Sequence, residues 1–158
     1  MSSMPDAPAC KGHYLLLLKV DRRLQASIGM LGTIQLDPGI YIYVGSAHGP
    51  GGLRARLRRH LCGARKRVHW HIDMLIESGA HPIIALAACS AAKQEESLAR
   101  ACLERCSLAA PRFGSTDAPG SPGHLYYCGP SLGEALLAAA RCMAEAPRKG
   151  PRHDPGHR

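Results

Sequence analysis

Apolar residues recur along this chain in two rhythms, and each change of rhythm marks a predicted element. Gly12 to Val20 is a leucine-rich apolar run closed by Asp21–Arg22–Arg23, which predicts a buried strand. Leu24–Ile28 and Thr33–Leu36 predict two short strands around Gly29–Gly32, and Asp37–Pro38–Gly39 is a turn signal. Ile40–Ser46 alternates strictly and is rich in β-branched and aromatic residues, so it predicts the clearest strand of the chain.

The period then changes. Gly51–Gly52 opens a predicted helix to about Cys62, with Leu53, Leu57 and Leu61 as its core stripe. A short helix follows from Trp70 to Glu77, stopped by Ser78–Gly79. Pro82 precedes a predicted core strand, Ile83–Cys89. Gln94–Cys106 reads as a helix that turns Leu98, Ala99, Cys102 and Leu103 inward. Arg112–Gly123 is a loop, His124–Cys128 a short strand, and Ser131–Glu145 an alanine-rich last helix capped by Ser131. The order predicts an α+β fold: a small, mainly antiparallel sheet flanked by helices, with an inserted β-hairpin and a C-terminal helix.

Length allows one domain, expected over residues 11–146, after a loose leader (1–10) and before a basic, disordered tail (147–158). Charge sharpens the functional reading. Twenty Lys and Arg against twelve Asp and Glu give a formal net charge of +8, which favours a polyanionic partner, with DNA the first expectation. Seven cysteines, an odd number set in apolar patterns, read as reduced thiols in a cytoplasmic protein rather than a disulfide framework. The apolar run at Tyr14–Leu18 is too short to span a bilayer, so no membrane association is expected.

The basic residues cluster. On the predicted helix Arg56 and His60 share one shoulder of the leucine stripe, Arg54 and Arg58 the other, and Arg59 points away. Arg65, Lys66, Arg67 and His69 extend the stripe. No acidic residue occurs from Gly45 to His71, so this is either a solvated face or a phosphate-binding one. Tyr41 and Tyr43 share one face of the alternating strand, and Tyr14 begins the first strand. Such tyrosines are core residues, or one of them handles a proton. A free phenol has a pKa near ~10, so that second role needs cations nearby. Glu95 and Glu96 open a helix, as dipole partners or as a hard-metal ligand. His69 and His71 alternate as strand zinc ligands can, without an accompanying CxxC pair; a phosphate-facing or capping role is preferred, with Trp70 in the core.

Taken together, Gly12–His13–Tyr14, Tyr43–Val44–Gly45 and the Arg56–Leu57–x–x–His60 spacing resemble the GIY-YIG nuclease superfamily. Gly49–Pro–Gly–Gly–Leu53, His69–Trp–His–Ile–Asp73, Phe113–Gly–Ser–Thr–Asp117 and His124–Leu–Tyr–Tyr127 resemble its Uri-type branch, whose modules occur alone or fused to endonuclease III. The literal Gly39–Ile40–Tyr41 is not the first motif, because it shares a strand with Tyr43–Val44–Gly45. The resemblance implies metal-dependent DNA hydrolysis in repair or recombination. Tyr14 would be general base or proton relay, Tyr43 its assistant, Arg56 the phosphorane stabiliser and His60 the support of the tyrosine or phosphate. Glu95 would hold one Mg²⁺ or Mn²⁺. Arg54, Arg58, Arg59, Arg65, Lys66, Arg67 and His69 would contact DNA, and another DNA-repair enzyme is a candidate partner. The alternative is a non-catalytic DNA-binding module of the same fold.

Overall fold

The computed structural model describes residues 7–62, 70–115 and 122–149. Arg65, Lys66, Arg67 and His69 therefore lie outside the described residues, as do Thr116–Ser121 and the tail from Gly150 onward. The elements run β1 (Gly12–Val20), β2 (Leu24–Ser27), β3 (Thr33–Leu36), β4 (Gly39–Ala47), α1 (Gly52–Leu61), α2 (His71–Ser78), β5 (His81–Cys89), α3 (Glu95–Arg105), β6 (Ser107–Leu108), β7 (Leu125–Tyr127) and α4 (Leu132–Lys149). Five strands form one sheet in the order β5-β1-β4-β7-β6, and every pairing in it is antiparallel. β2 and β3 pair separately as a hairpin. This is the α+β arrangement that the apolar rhythm predicts.

The leucine run of β1 has a simple physical reason. β1 lies between β4 and β5 and is covered on both faces, so successive residues enter two different cores. Tyr14, Leu16, Leu18 and Val20 join α1, α2 and the hairpin, while Leu15 and Leu17 join α3 and α4. β4 divides in the same way: Tyr41 and Tyr43 face the first core, Ile40, Ile42 and Val44 the second. Ser131 caps α4, its hydroxyl accepting from the Glu134 N–H at 3.2 Å. That helix continues through Lys149, three residues into the expected tail.

Some expectations are corrected. β5 is an edge strand, not a core one, with Ile83 and Ile84 38% and 42% exposed. Its register against β1 slips between Leu17 and Leu18, which leaves Ile83 as an extra bulged residue beside Pro82. Leu103 faces solvent, because α3 buries the opposite stripe, Leu98, Ala99, Ala101 and Cys102. Four cysteines are paired, Cys10 with Cys89 and Cys106 with Cys128, whereas Cys62, Cys102 and Cys142 are thiols. These partners are distant in sequence and meet only through the sheet. Residues 7–10 lie against α1: the carbonyls of Cys10 and Pro8 accept from Leu53 N–H and Arg54 N–H at 2.9 and 3.0 Å.

Gly45 shows how closely the first core is packed. A Cβ at this position would overlap the Tyr14 ring, which lies directly over the Gly45 backbone across the β1–β4 ladder. Gly45→Ala is expected to cost about 2 kcal/mol and to lower the melting temperature by about 6 °C. Thermal melts followed by circular dichroism test this; an unchanged midpoint would show that the ring has room to move.

Candidate active site

The site begins as a consequence of strand pairing. Tyr14 faces Gly45 and Leu16 faces Tyr43 across the ladder, so the two tyrosines are diagonal neighbours on one face, with ring centroids 6.3 Å apart. Helix α1 crosses that face on Leu53 and Leu57 and brings His60 inward from its last turn. His60 Nε2 lies 2.7 Å from the Tyr14 hydroxyl. The third tyrosine of the face is occupied elsewhere: Tyr41 donates to the Asp37 carbonyl at 2.7 Å.

Burial sets the electrostatics. It pushes the Tyr14 phenol well above its ordinary value, with Arg56 offsetting part of the effect. Tyr43 is raised in the same way, by burial first and by Tyr14 second. Tyr14 at neutral pH is thus a phenol, and it shares one hydrogen bond with the imidazole nitrogen Nε2 of His60.

Arg56 is half-buried one turn before His60. Its Nη1 donates to the Ser46 carbonyl at 2.8 Å, and its guanidinium carbon sits 4.2 Å from the centroid of the Trp70 ring. Arg54 and Arg58 are exposed, and Arg54 Nε donates to the Ala7 carbonyl at 2.8 Å. Arg59 does not point away. It donates to Asp73 Oδ2 at 2.8 Å and lies 4.6 Å over Trp70. The basic stripe therefore has an acidic partner after all, supplied by the next helix. Trp70 is half-buried against the edge of the first core rather than within it.

Glu95 opens α3 on the other face of the sheet, yet its charge is felt by Tyr14, Tyr43 and Arg56. Its carboxyl is raised above the usual range by burial first and by Glu96 second, with Arg56, Lys93 and the Ser46 hydroxyl opposing. Among the described residues no group of three His, Cys, Asp or Glu is placed to hold an ion. The donor set is one part-exposed hard carboxylate with a second beside it, which suits Mg²⁺ or Mn²⁺ completed by phosphate oxygens and water.

Four residues of this site carry more than the sequence revealed. Asp73 is fully buried and accepts from both Arg59 and the Trp70 backbone N–H. His124, also buried, places Nδ1 3.8 Å from Glu95 and Nε2 3.8 Å from Glu96. Phe113 packs edge-on to Tyr43 with centroids 6.1 Å apart, while His71 Nδ1 accepts the Gly114 N–H at 2.9 Å. His124 and Phe113 belong to late motifs with no spacing relation to the tyrosines; only the motif match marked them.

The model of a domain family of unknown function, DUF123, matches residues 13–145. The chain belongs to that family. The match spans β1 to most of α4, so every described site residue lies inside the DUF123 domain. No curated protein and no solved structure matched the chain. Among the described residues of this DUF123 domain, no helix is long and apolar enough to cross a membrane.

Proposed function

We propose that this DUF123 domain is a metal-dependent DNA endonuclease of the GIY-YIG kind, Uri-type branch, acting in repair or recombination. One observation carries the reading: a buried tyrosine is hydrogen-bonded to a buried histidine at 2.7 Å, with Arg56 and Glu95 within electrostatic reach. Tyr14 accepts a proton from the attacking water as it passes its own to His60 Nε2. This relay suits a phenol whose burial disfavours a standing phenolate. Arg56 holds the non-bridging phosphate oxygens in a half-buried position, where a guanidinium is strongest. Tyr43 orients the water beside Tyr14. Glu95 would hold an Mg²⁺ or Mn²⁺ ion, which would supply charge neutralisation to the phosphate. Arg54 and Arg58 draw DNA to the face, and the sequence adds further positive charge at Arg65, Lys66 and Arg67, with His69 beside them. A cytoplasmic location and a DNA-repair enzyme as partner accompany this reading.

The second reading is a DNA-binding module that does not cut, and the exposed Arg54 and Arg58 side chains on α1 favour it. One assay separates the two. Nicked, branched and plasmid DNA are incubated with the protein and Mn²⁺ or Mg²⁺. Cleavage is expected, abolished by EDTA and reduced about 10²-fold by Tyr14→Phe. Mn²⁺ is expected to raise the melting temperature of the wild type and not of Glu95→Gln. Salt-dependent binding without any cleavage would leave only the module.

A further inference from the structure

A cleft of about 350 Å³ opens between the glycine turn, α1 and Trp70. Its walls are Gly49, Pro50, Gly52 and Ala55, and its floor is the Trp70 ring with Arg56 and Arg59 over it. Apart from the two arginines, these walls offer a phosphate no donor. Proline and alanine side chains offer no donor, and the first N–H groups of α1 are already taken: Gly52 by Gly49, Leu53 by Cys10, Arg54 by Pro8 and Ala55 by Gly51. What the cleft presents is a flat shelf of indole and guanidinium with an apolar rim. Flat, π-rich ligands stack on such shelves whatever their hydrogen-bonding edge.

The shelf is held in place from behind. Asp73, with no exposed surface, accepts from Arg59 Nη2 at 2.8 Å and from the Trp70 N–H at 3.0 Å. Shelf and reacting groups also share a residue: the Arg56 guanidinium lies over Trp70 and donates to Ser46 beside Tyr14 and Glu95.

We infer that this cleft receives one unpaired nucleobase of the bound DNA, stacked against the guanidinium layer that Arg56 and Arg59 form over Trp70, next to the phosphate to be cut. The inference rests on the nuclease reading and adds a substrate class to it: strands with an unstacked base, such as flaps, gaps and single strands, over continuous duplex.

Trp70 is the only tryptophan of the chain, so its emission reports this cleft alone. A short oligothymidylate and an abasic deoxyribose-phosphate oligomer of equal length are titrated without divalent ions. Binding is followed independently by the anisotropy of a label on each oligomer. Expected results are quenching of Trp70 about twofold by the oligothymidylate alone, and about ten-fold weaker binding of the abasic oligomer. Trp70→Phe is expected to keep the preference for bases and Trp70→Ala to lose it. Equal binding of both oligomers with unchanged emission overturns the cleft assignment and leaves DNA binding intact. If neither oligomer binds, and duplex and branched DNA do not bind either, the nuclease reading falls with it.

Discussion

Arg56→Ala is expected to slow DNA cleavage about 10³-fold under single-turnover conditions while leaving the fold intact. The guanidinium is half-buried, fixed at one end by the Ser46 carbonyl and backed by the Trp70 ring. On the nuclease reading such a pre-positioned donor needs no reorganisation during the reaction, so its loss would fall on the transition state rather than on binding. Arg56→Lys is expected to recover no more than about tenfold of that loss. One ammonium cannot donate to Ser46, stack on Trp70 and grip two phosphate oxygens together. The melting temperature should move by less than about 3 °C. Equal cleavage rates for Arg56→Ala and wild type would remove Arg56 from the chemistry.

Asp73→Ala is expected to have the largest effect on stability, a loss of about 3 kcal/mol and about 10 °C in melting temperature. This carboxylate has no exposed surface and accepts charge-assisted hydrogen bonds from Arg59 and from the backbone at the start of α2. Removing it leaves a part-buried guanidinium without its carboxylate and takes the cap from α2. Arg59→Ala is expected to cost less, because Asp73 keeps the Trp70 N–H. A double-mutant cycle of Arg59 and Asp73, measured by urea unfolding, is expected to give a coupling of at least about 1 kcal/mol. Additive effects would mean that the pair is not coupled.

What the sequence made legible follows from local rules. β1, β4 and α1 are written in alternation and in a three-to-four spacing, and the faces of Tyr14, Tyr43 and His60 follow directly. Features that depend on a second element were not legible. A helical wheel shows Arg59 facing outward, since the wheel contains only α1 while Asp73 stands on α2. The apolar run Ile83–Leu86 looks the same whether a sheet has a neighbour on one side or on two. Cysteine spacing could not pair Cys10 with Cys89, which meet because Gly12 and Cys89 are opposite each other across the ladder. Glu95 was singled out at a helix start and by the family resemblance; only coordinates show that α3 carries it from the other face to the end of the sheet that holds the tyrosines.

The outer margin of β5 has a consequence for how the molecule behaves in company. Among the described residues that strand pairs only with β1, and its sequence from Pro82 to Cys89 has no charge to repel a neighbour. A flat uncharged border of this kind invites strand addition and fibre growth. Here the bulge and proline interrupt it at one end, and the cystine to Cys10 anchors a crossing chain at the other. The length open to such growth shrinks to Ile84–Ala88, and solubility then depends on two features that have no part in the chemistry.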